Sequence, residues 1–267
     1  MAENRLEGMH FVSSDDITPD IMRYIMIKAS DIEKHIEENN VGLYELANTP
    51  HLRIGSAFFE DSTRTRISFE TAAELLGGVT KGFAGPAGTS LKKKESLRHT
   101  LEMIAGYGAK AIVIRHSLDG AARWAAESME RRAKRTGKAI IPILNGGDGK
   151  HEHPTQTVLT RYVMLKDAGR LTDKCEHPYS LEGMNILVAG DLLFGRVPHS
   201  NVKDFSKDGV HFIFVAPDRF QMPEAYLKII EDNGSTYEMH ERLTPDIIGR
   251  CDALSAFRFQ IERFSNI

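Results

Sequence analysis

Ile54-Gly55-Ser56-Ala57-Phe58-Phe59 runs directly into Glu60-Asp61-Ser62-Thr63-Arg64-Thr65-Arg66-Ile67-Ser68-Phe69-Glu70. The first six residues read as a short buried strand. The residues from 64 to 76 read as a helix that stops at Gly77-Gly78. Between strand and helix, hydroxyl and guanidinium side chains alternate. Ser62 or Thr63 can cap the helix, because a side-chain oxygen there satisfies an orphan backbone N–H. The same helix start offers free N–H groups and the positive end of a dipole, which suit a phosphate. Arg64 and Arg66 add permanent charge and forked donors that match phosphate oxygens. A capped amphipathic helix with solvated arginines explains these residues without any ligand. The anion reading gains weight only because further anion-binding groups recur downstream.

The strand-then-helix pattern repeats along the chain. Apolar runs at 54–59, 111–114, 139–144, 185–191, 210–216 and 252–257 read as strands. Helical spacing occupies 17–38, 64–76, 121–135, 155–168, 202–207 and 223–233. Strands alternating with helices predict an α/β fold with parallel sheets covered on both faces. A Pro-Tyr-Ser turn within 177–183 follows a helix that links two halves, and the pattern then restarts. Two domains are expected, 1–155 and 156–267, each a parallel sheet flanked by helices. Sites in such folds lie at the C-terminal ends of strands. Ser62, Arg115, His153, Asp191, Arg196 and Arg258 each follow an apolar run, which puts six polar groups on one kind of edge.

Composition narrows the chemistry. The 267 residues are 41% hydrophobic and 27% charged, with a formal net charge of −3. Bulk electrostatics therefore give no reason to expect nucleic acid, and any anion site must be local. No apolar run approaches the ~20 residues that a membrane span requires. The first residues are too polar for a secretory signal. Cys175 and Cys251 have no CxxC or Cys/His ligand spacing around them, which disfavours zinc and fits a reducing, cytoplasmic setting.

The remaining motifs each admit two readings. Gly85-Pro86-Ala87-Gly88-Thr89-Ser90-Leu91-Lys92-Lys93-Lys94 is either a solvated charge run or a loop that brings a lysine onto an anion. Arg115-His116 ends a strand; the arginine can snorkel into water or face a ligand. Asn145-Gly146-Gly147-Asp148-Gly149-Lys150-His151-Glu152-His153-Pro154-Thr155-Gln156 combines a glycine-rich loop with a helix start. His151 and His153 suggest a metal, but no third ligand accompanies them. His153 and Gln156, three residues apart, can face one cleft. Gly190-Asp191-Leu192-Leu193-Phe194-Gly195-Arg196 lacks the GxGxxG of a dinucleotide turn, so no cofactor is expected. Arg258-Phe259-Gln260 places donors at alternate positions, suited to a carboxylate.

Together these segments resemble the catalytic chain of the aspartate branch of the aspartate/ornithine carbamoyltransferase family. The likeness rests on residues 59–66, on Thr89-Ser90 with Lys93, on Arg115-His116, on 145–156, on Gly190-Asp191-Leu192 with Gly195-Arg196, and on Arg258-Phe259-Gln260 with Glu262-Arg263. It implies transfer of a carbamoyl group from carbamoyl phosphate to L-aspartate, an early step of pyrimidine synthesis, without a cofactor. It further implies that Ser62, Thr63, Arg64 and Thr65 hold the phosphate. Ser90 and Lys93 would reach it from the adjacent subunit of a homotrimer with shared sites, Lys92 and Lys94 being the alternatives to Lys93. Thr65, Arg115 and His153, with Gln156 nearby, would act on the carbamoyl oxygen, and Arg196, Arg258 and Gln260 would bind aspartate. A regulatory chain accompanies some family members, and the residues carry no signal for one.

Departures from the family pattern are Lys94, Leu193-Phe194, Ser117 and Phe257. The chain also stops at Ile267, where family members continue through a His-Pro-Leu-Pro segment and final helices. The resemblance therefore also implies a truncated or naturally short chain. It leaves open a transcarbamoylase for another amino acid, or a non-catalytic relative that binds carbamoyl phosphate.

Overall fold

The computed structural model describes residues 6–39, 52–85 and 96–260. It divides into two compact units, Met1–Thr155 and Gln156–Ile267. The division falls ahead of the 177–183 turn, so the linking helix counts with the second unit.

In the first unit, helix α1 (Pro19–Asn39) precedes strand β1 (Arg53–Phe58). Then follow α2 (Thr63–Leu75), β2 (Val79–Ala84), α3 (Leu97–Gly106), β3 (Ala111–His116), α4 (Ala121–Thr136) and β4 (Ile143–Asp148). All pairings are parallel, in the order β2-β1-β3-β4. Ile112, Val113 and Ile114 are buried on both sides of the sheet. One face packs Ala57, Ile112 and Ile114 against Leu101 and Ile104 of α3 and Ala122 and Met129 of α4. After β1 the chain moves outward to β2, and then crosses back to place β3 on the other side of β1. The strand order therefore reverses between β1 and β3, where open α/β sheets leave a crevice at their carboxyl ends.

The second unit repeats the plan. Helix α5 (Pro154–Asp167), which begins in the first unit, leads to β5 (Asn185–Ala189), α6 (Arg196–Phe205), β6 (His211–Val215), α7 (Glu224–Asp232), β7 (Thr236–His240), α8 (Pro245–Arg250) and β8 (Ala253–Ala256). This sheet is also fully parallel, ordered β7-β6-β5-β8, so its reversal lies between β5 and β8. Leu187, Ile213 and Val215 pack on Ile247 of α8. Arg161 of α5 lies buried among acids: Nε donates to Asp204 Oδ2 at 2.8 Å and Nη1 to Asp208 Oδ2 at 2.7 Å. Burial alone would lower its pKa, but the two aspartates overcome that and hold it above its ordinary value.

Three features differ from the reading of the sequence. Strand β4 starts at Ile143 instead of residue 139 and runs through Asn145-Gly146-Gly147, which the sequence suggests as loop. Ile140 is 39% exposed, and Pro142 has no N–H to give a ladder. The β3–β4 register shifts between Ile114 and His116, and Gly147, at φ 115°, absorbs the bulge. Helix α6 starts at Arg196, six residues earlier than the spacing suggests. Strands β2 and β7 and helices α3 and α8 have no counterpart in the sequence reading.

Candidate functional site

At the β1/β3 reversal, the residues after β1 open helix α2. Ser62 is its N-cap with extended backbone (φ −158°, ψ 113°), but its side chain makes no capping bond. The sequence suggests Ser62 or Thr63 as the capping side chain; Ser62 takes the N-cap position without using its hydroxyl to cap. Helix α2 carries no acidic residue in its first turn to offset the dipole. Arg64 is exposed and makes no ion pair among the described residues, whereas Arg66 reaches Glu70 at 3.4 Å along the helix. The two arginines of the motif thus divide, one available and one engaged on its own helix.

Thr65, one turn in, meets the next group. Its Oγ1 lies 3.5 Å from His153 Nε2, and Thr155 Oγ1 lies 3.1 Å from His153 Nδ1. His153 is only 6% exposed. When the Thr155 hydroxyl donates to Nδ1, the ring proton sits on Nε2, on the Thr65 side. Arg115, at the end of β3, is fixed by both arms of its fork: Nη1 donates to Gly146 O at 3.0 Å and Nη2 to Glu60 Oε1 at 2.7 Å. Gly146 brings β4 against Thr65; a Cβ there would lie 3.4 Å from Thr65 Cγ2. One edge thus gathers a helix start, two hydroxyls, a buried imidazole and an oriented guanidinium.

Behind His153 lies a buried polar cluster. Asp148 accepts from Asn145 Nδ2 at 3.0 Å and from the Glu152 N–H at 3.3 Å. Burial pushes the Asp148 carboxyl up, but His151, Asn145 and that N–H together hold it below the ordinary carboxylate value. Asn145 also closes the bulge, its Oδ1 accepting from Gly147 N at 2.8 Å.

In the second unit the corresponding edge is organised by Asp191, which is fully buried. Its Oδ1 accepts from Phe194 N and its Oδ2 from Gln260 N, both at 2.9 Å. One carboxylate therefore fastens the turn after β5 to the segment after β8. Gly190 makes that approach feasible: its φ is 112°, and a Cβ would lie 1.9 Å from Phe257 O. Arg196, 9% exposed, starts α6, while Arg258 is exposed and Gln260 half-buried. Phe259 packs edge-on against Phe220 at 4.7 Å between ring centres, steadying the segment that carries them.

Thr65, Arg115 and His153 are thus gathered in the first unit beside Ser62, Thr63 and Arg64, and Arg196, Arg258 and Gln260 lie on the carboxyl edge of the second. Gln156 lies in the first turn of α5, half-buried. Ser90 and Lys92 to Lys94 fall outside the described residues, as do Glu262 and Arg263. Sequence reading missed Glu60, the partner of Arg115, and Glu152; both act through contacts between residues far apart in the chain.

The family model described as aspartate/ornithine carbamoyltransferase, carbamoyl-P binding domain, matches residues 9–166. The chain belongs to the aspartate/ornithine carbamoyltransferase family. This transcarbamoylase chain is 38% identical over 246 residues to an aspartate carbamoyltransferase catalytic subunit of Bacteroides thetaiotaomicron, covering 88% of this chain and 72% of the relative. Its fold matches the crystal structure of aspartate transcarbamoylase from Trypanosoma cruzi in complex with carbamoyl aspartate and phosphate. The TM-score is 0.81 at 29% identity, over 98% of this chain and 78% of that one. The catalytic subunit of the M. jannaschii aspartate transcarbamoylase matches with a TM-score of 0.77 at 32% identity, over 96% and 76% of the two chains.

Proposed function

We propose that this chain transfers the carbamoyl group of carbamoyl phosphate to the amino group of L-aspartate, giving N-carbamoyl-L-aspartate and phosphate, a reaction of pyrimidine synthesis. The Thr65–His153–Thr155 chain of contacts beside a Ser62 hydroxyl that makes no capping bond carries the reading most directly. Relatives named as aspartate carbamoyltransferases, and structures of relatives holding carbamoyl phosphate or aspartate, support it.

In this reading the domain 1–155 binds carbamoyl phosphate and the domain 156–267 binds aspartate. Ser62, Thr63, Arg64 and Thr65 hold the phosphate at the start of α2. The aspartate amine donates its lone pair to the carbamoyl carbon, and the bond from that carbon to the phosphate oxygen breaks. Negative charge builds on the carbamoyl oxygen, where Thr65, Arg115 and His153 supply donors, with Gln156 alongside. Donors already fixed at developing charge are commonly the largest catalytic term. The amine proton leaves with the phosphate, so no protein base is required. Arg196 and Arg258 take the two carboxylates of aspartate, and Gln260 adds a neutral donor. Ser90 and Lys93 reach the phosphate from a neighbouring subunit of a cytoplasmic homotrimer, and a regulatory chain is compatible with this assembly.

The test supplies carbamoyl phosphate with L-aspartate or with L-ornithine and follows carbamoylated product. Product from aspartate alone is expected. Product from ornithine alone overturns the assignment of the acceptor. Binding of carbamoyl phosphate with neither product identifies a non-catalytic relative.

A further inference from the structure

We propose that Glu152 is the positioning residue of this site: it clamps the turn after β4 to the N-terminal segment and so holds His153 against Thr65. The catalytic consequence rests on the reading of His153 as a donor to the carbamoyl oxygen; the geometric claim does not.

Glu152 is fully buried, a costly place for a carboxylate unless its oxygens are satisfied. Both are. Ser13 Oγ donates to Oε1 at 2.6 Å and Ser14 N to Oε2 at 2.7 Å, across 139 and 138 residues of chain. The far end of the clamp is itself closed. Ser13 caps the short 3₁₀ turn Ser14–Asp16, and the Ser13 N–H returns to Asp16 Oδ2 at 3.0 Å. The segment leading to it pairs with β4: Phe11 N donates to Ile143 O at 2.8 Å and Asn145 N to Phe11 O at 2.9 Å. Asn145 Nδ2 adds a bond to Val12 O at 3.0 Å.

The near end is equally fixed. Asp148 N donates to Glu152 O at 3.2 Å, and Glu152 N returns to Asp148 Oδ1 at 3.3 Å. The His151 ring lies across both acids, Nδ1 3.5 Å from Asp148 Oδ1 and Nε2 3.6 Å from Glu152 Oε1. With the backbone at residue 152 held on both sides, the residue that follows has little freedom beyond its own side-chain torsions. That residue is His153. Glu152 spends its oxygens on the clamp and acts on the site only through its neighbour.

The test combines Glu152→Ala, Glu152→Gln and Ser13→Ala. Glu152→Ala should lower kcat about a hundredfold, the scale of a misplaced catalytic group, while carbamoyl phosphate binds within about twofold of the parent. Glu152→Gln, which keeps one acceptor and the shape, should recover most of that loss. Ser13→Ala should cost about tenfold, and adding it to Glu152→Ala should cost little more, because the two residues form one contact. Histidine-selective ¹⁵N NMR, with His153 assigned by the signal lost in His153→Asn, should show its ring resonances displaced in Glu152→Ala and returned in Glu152→Gln. Unmoved ring resonances with unchanged kcat overturn the proposal, as do additive effects of the two alanine variants. Should Glu152→Ala not fold, Ser13→Ala and Glu152→Gln decide by the same ring signals. Should the parent form no product, the functional reading fails separately, and the ring signals still decide the clamp.

Discussion

The two units share a fold plan, and each carries polar groups at the reversal of its strand order, yet they secure those groups differently. In the first unit the side chains that face the edge hold one another. Arg115 is fixed by Glu60 and Gly146, and His153 lies between two threonines. In the second unit the anchor is Asp191, which bonds backbone N–H groups at Phe194 and Gln260. It positions the chain, and Arg258 on that segment is an exposed residue. The difference fits the two tasks proposed for these edges. Charge that develops during reaction is served by donors fixed in advance. A charged amino acid taken from water is served by guanidiniums on a firm backbone.

The largest effect should come from breaking the fixed arrangement. Arg115→Lys keeps the charge but cannot bond Gly146 O and Glu60 together. We expect kcat to fall by about 10²–10³, as for loss of one oriented donor, with the KM for aspartate within about threefold. Steady-state kinetics decide. A pure KM effect would mean that Arg115 acts on the acceptor, and the contrast between the edges would collapse.

Next is the buried anchor of the second unit. Asp191→Ala leaves two N–H groups without their acceptor, a loss of about 1–3 kcal/mol for buried donors. The urea midpoint should fall accordingly, and the KM for aspartate should rise while carbamoyl phosphate binding stays unchanged. Arg258→Ala should act more narrowly, raising that KM about tenfold without moving the midpoint. If the two variants are indistinguishable in stability, Asp191 is not the anchor described.

How much of this was readable beforehand follows from which forces are local. Strands β3, β5 and β6 are covered on both faces, so they appear as continuous apolar runs that one sequence reveals. Edge strands β2 and β7 are largely uncovered, and Val-Thr-Lys-Gly-Phe-Ala and Thr-Tyr-Glu-Met-His carry no such run. Strand β4 is hard to place from sequence because Asn145-Gly146-Gly147 has the composition of a turn, whereas pairing with β3, the Asn145 side chain and the N-terminal segment hold it extended. Ser62, Arg115 and His153 stand out because polar groups follow apolar runs, whereas the role of Thr65 comes from the family resemblance alone. Glu60, Glu152 and Asp191 act through partners 55, 139 and 69 residues away, and spacing along the chain cannot reveal such pairs.

The smallest effect concerns pH, and it too separates the units. His10 and His116 both lie in the first unit, and both accept a backbone N–H on Nδ1, from Ile143 and Leu118, each at 3.0 Å. Accepting there requires the neutral ring. Burial is the main cause lowering both pKa values below 6.5, ahead of the acids that oppose it: Glu130 and Asp16 near His10, Glu60 and Asp148 near His116. A depressed folded-state pKa means that the unfolded chain binds protons more readily. The stability contributed is therefore complete above pH 6.5 and is lost as pH falls through the folded-state values. The chain's single tryptophan, Trp124 on α4, reports this unit specifically. Its fluorescence in urea should show a midpoint that falls as pH drops below 6.5, and His116→Gln should flatten that slope. A Trp124 midpoint that stays constant over this range, or an equal slope in His116→Gln, would show that burial of the neutral rings does not set the acid limit of the first unit.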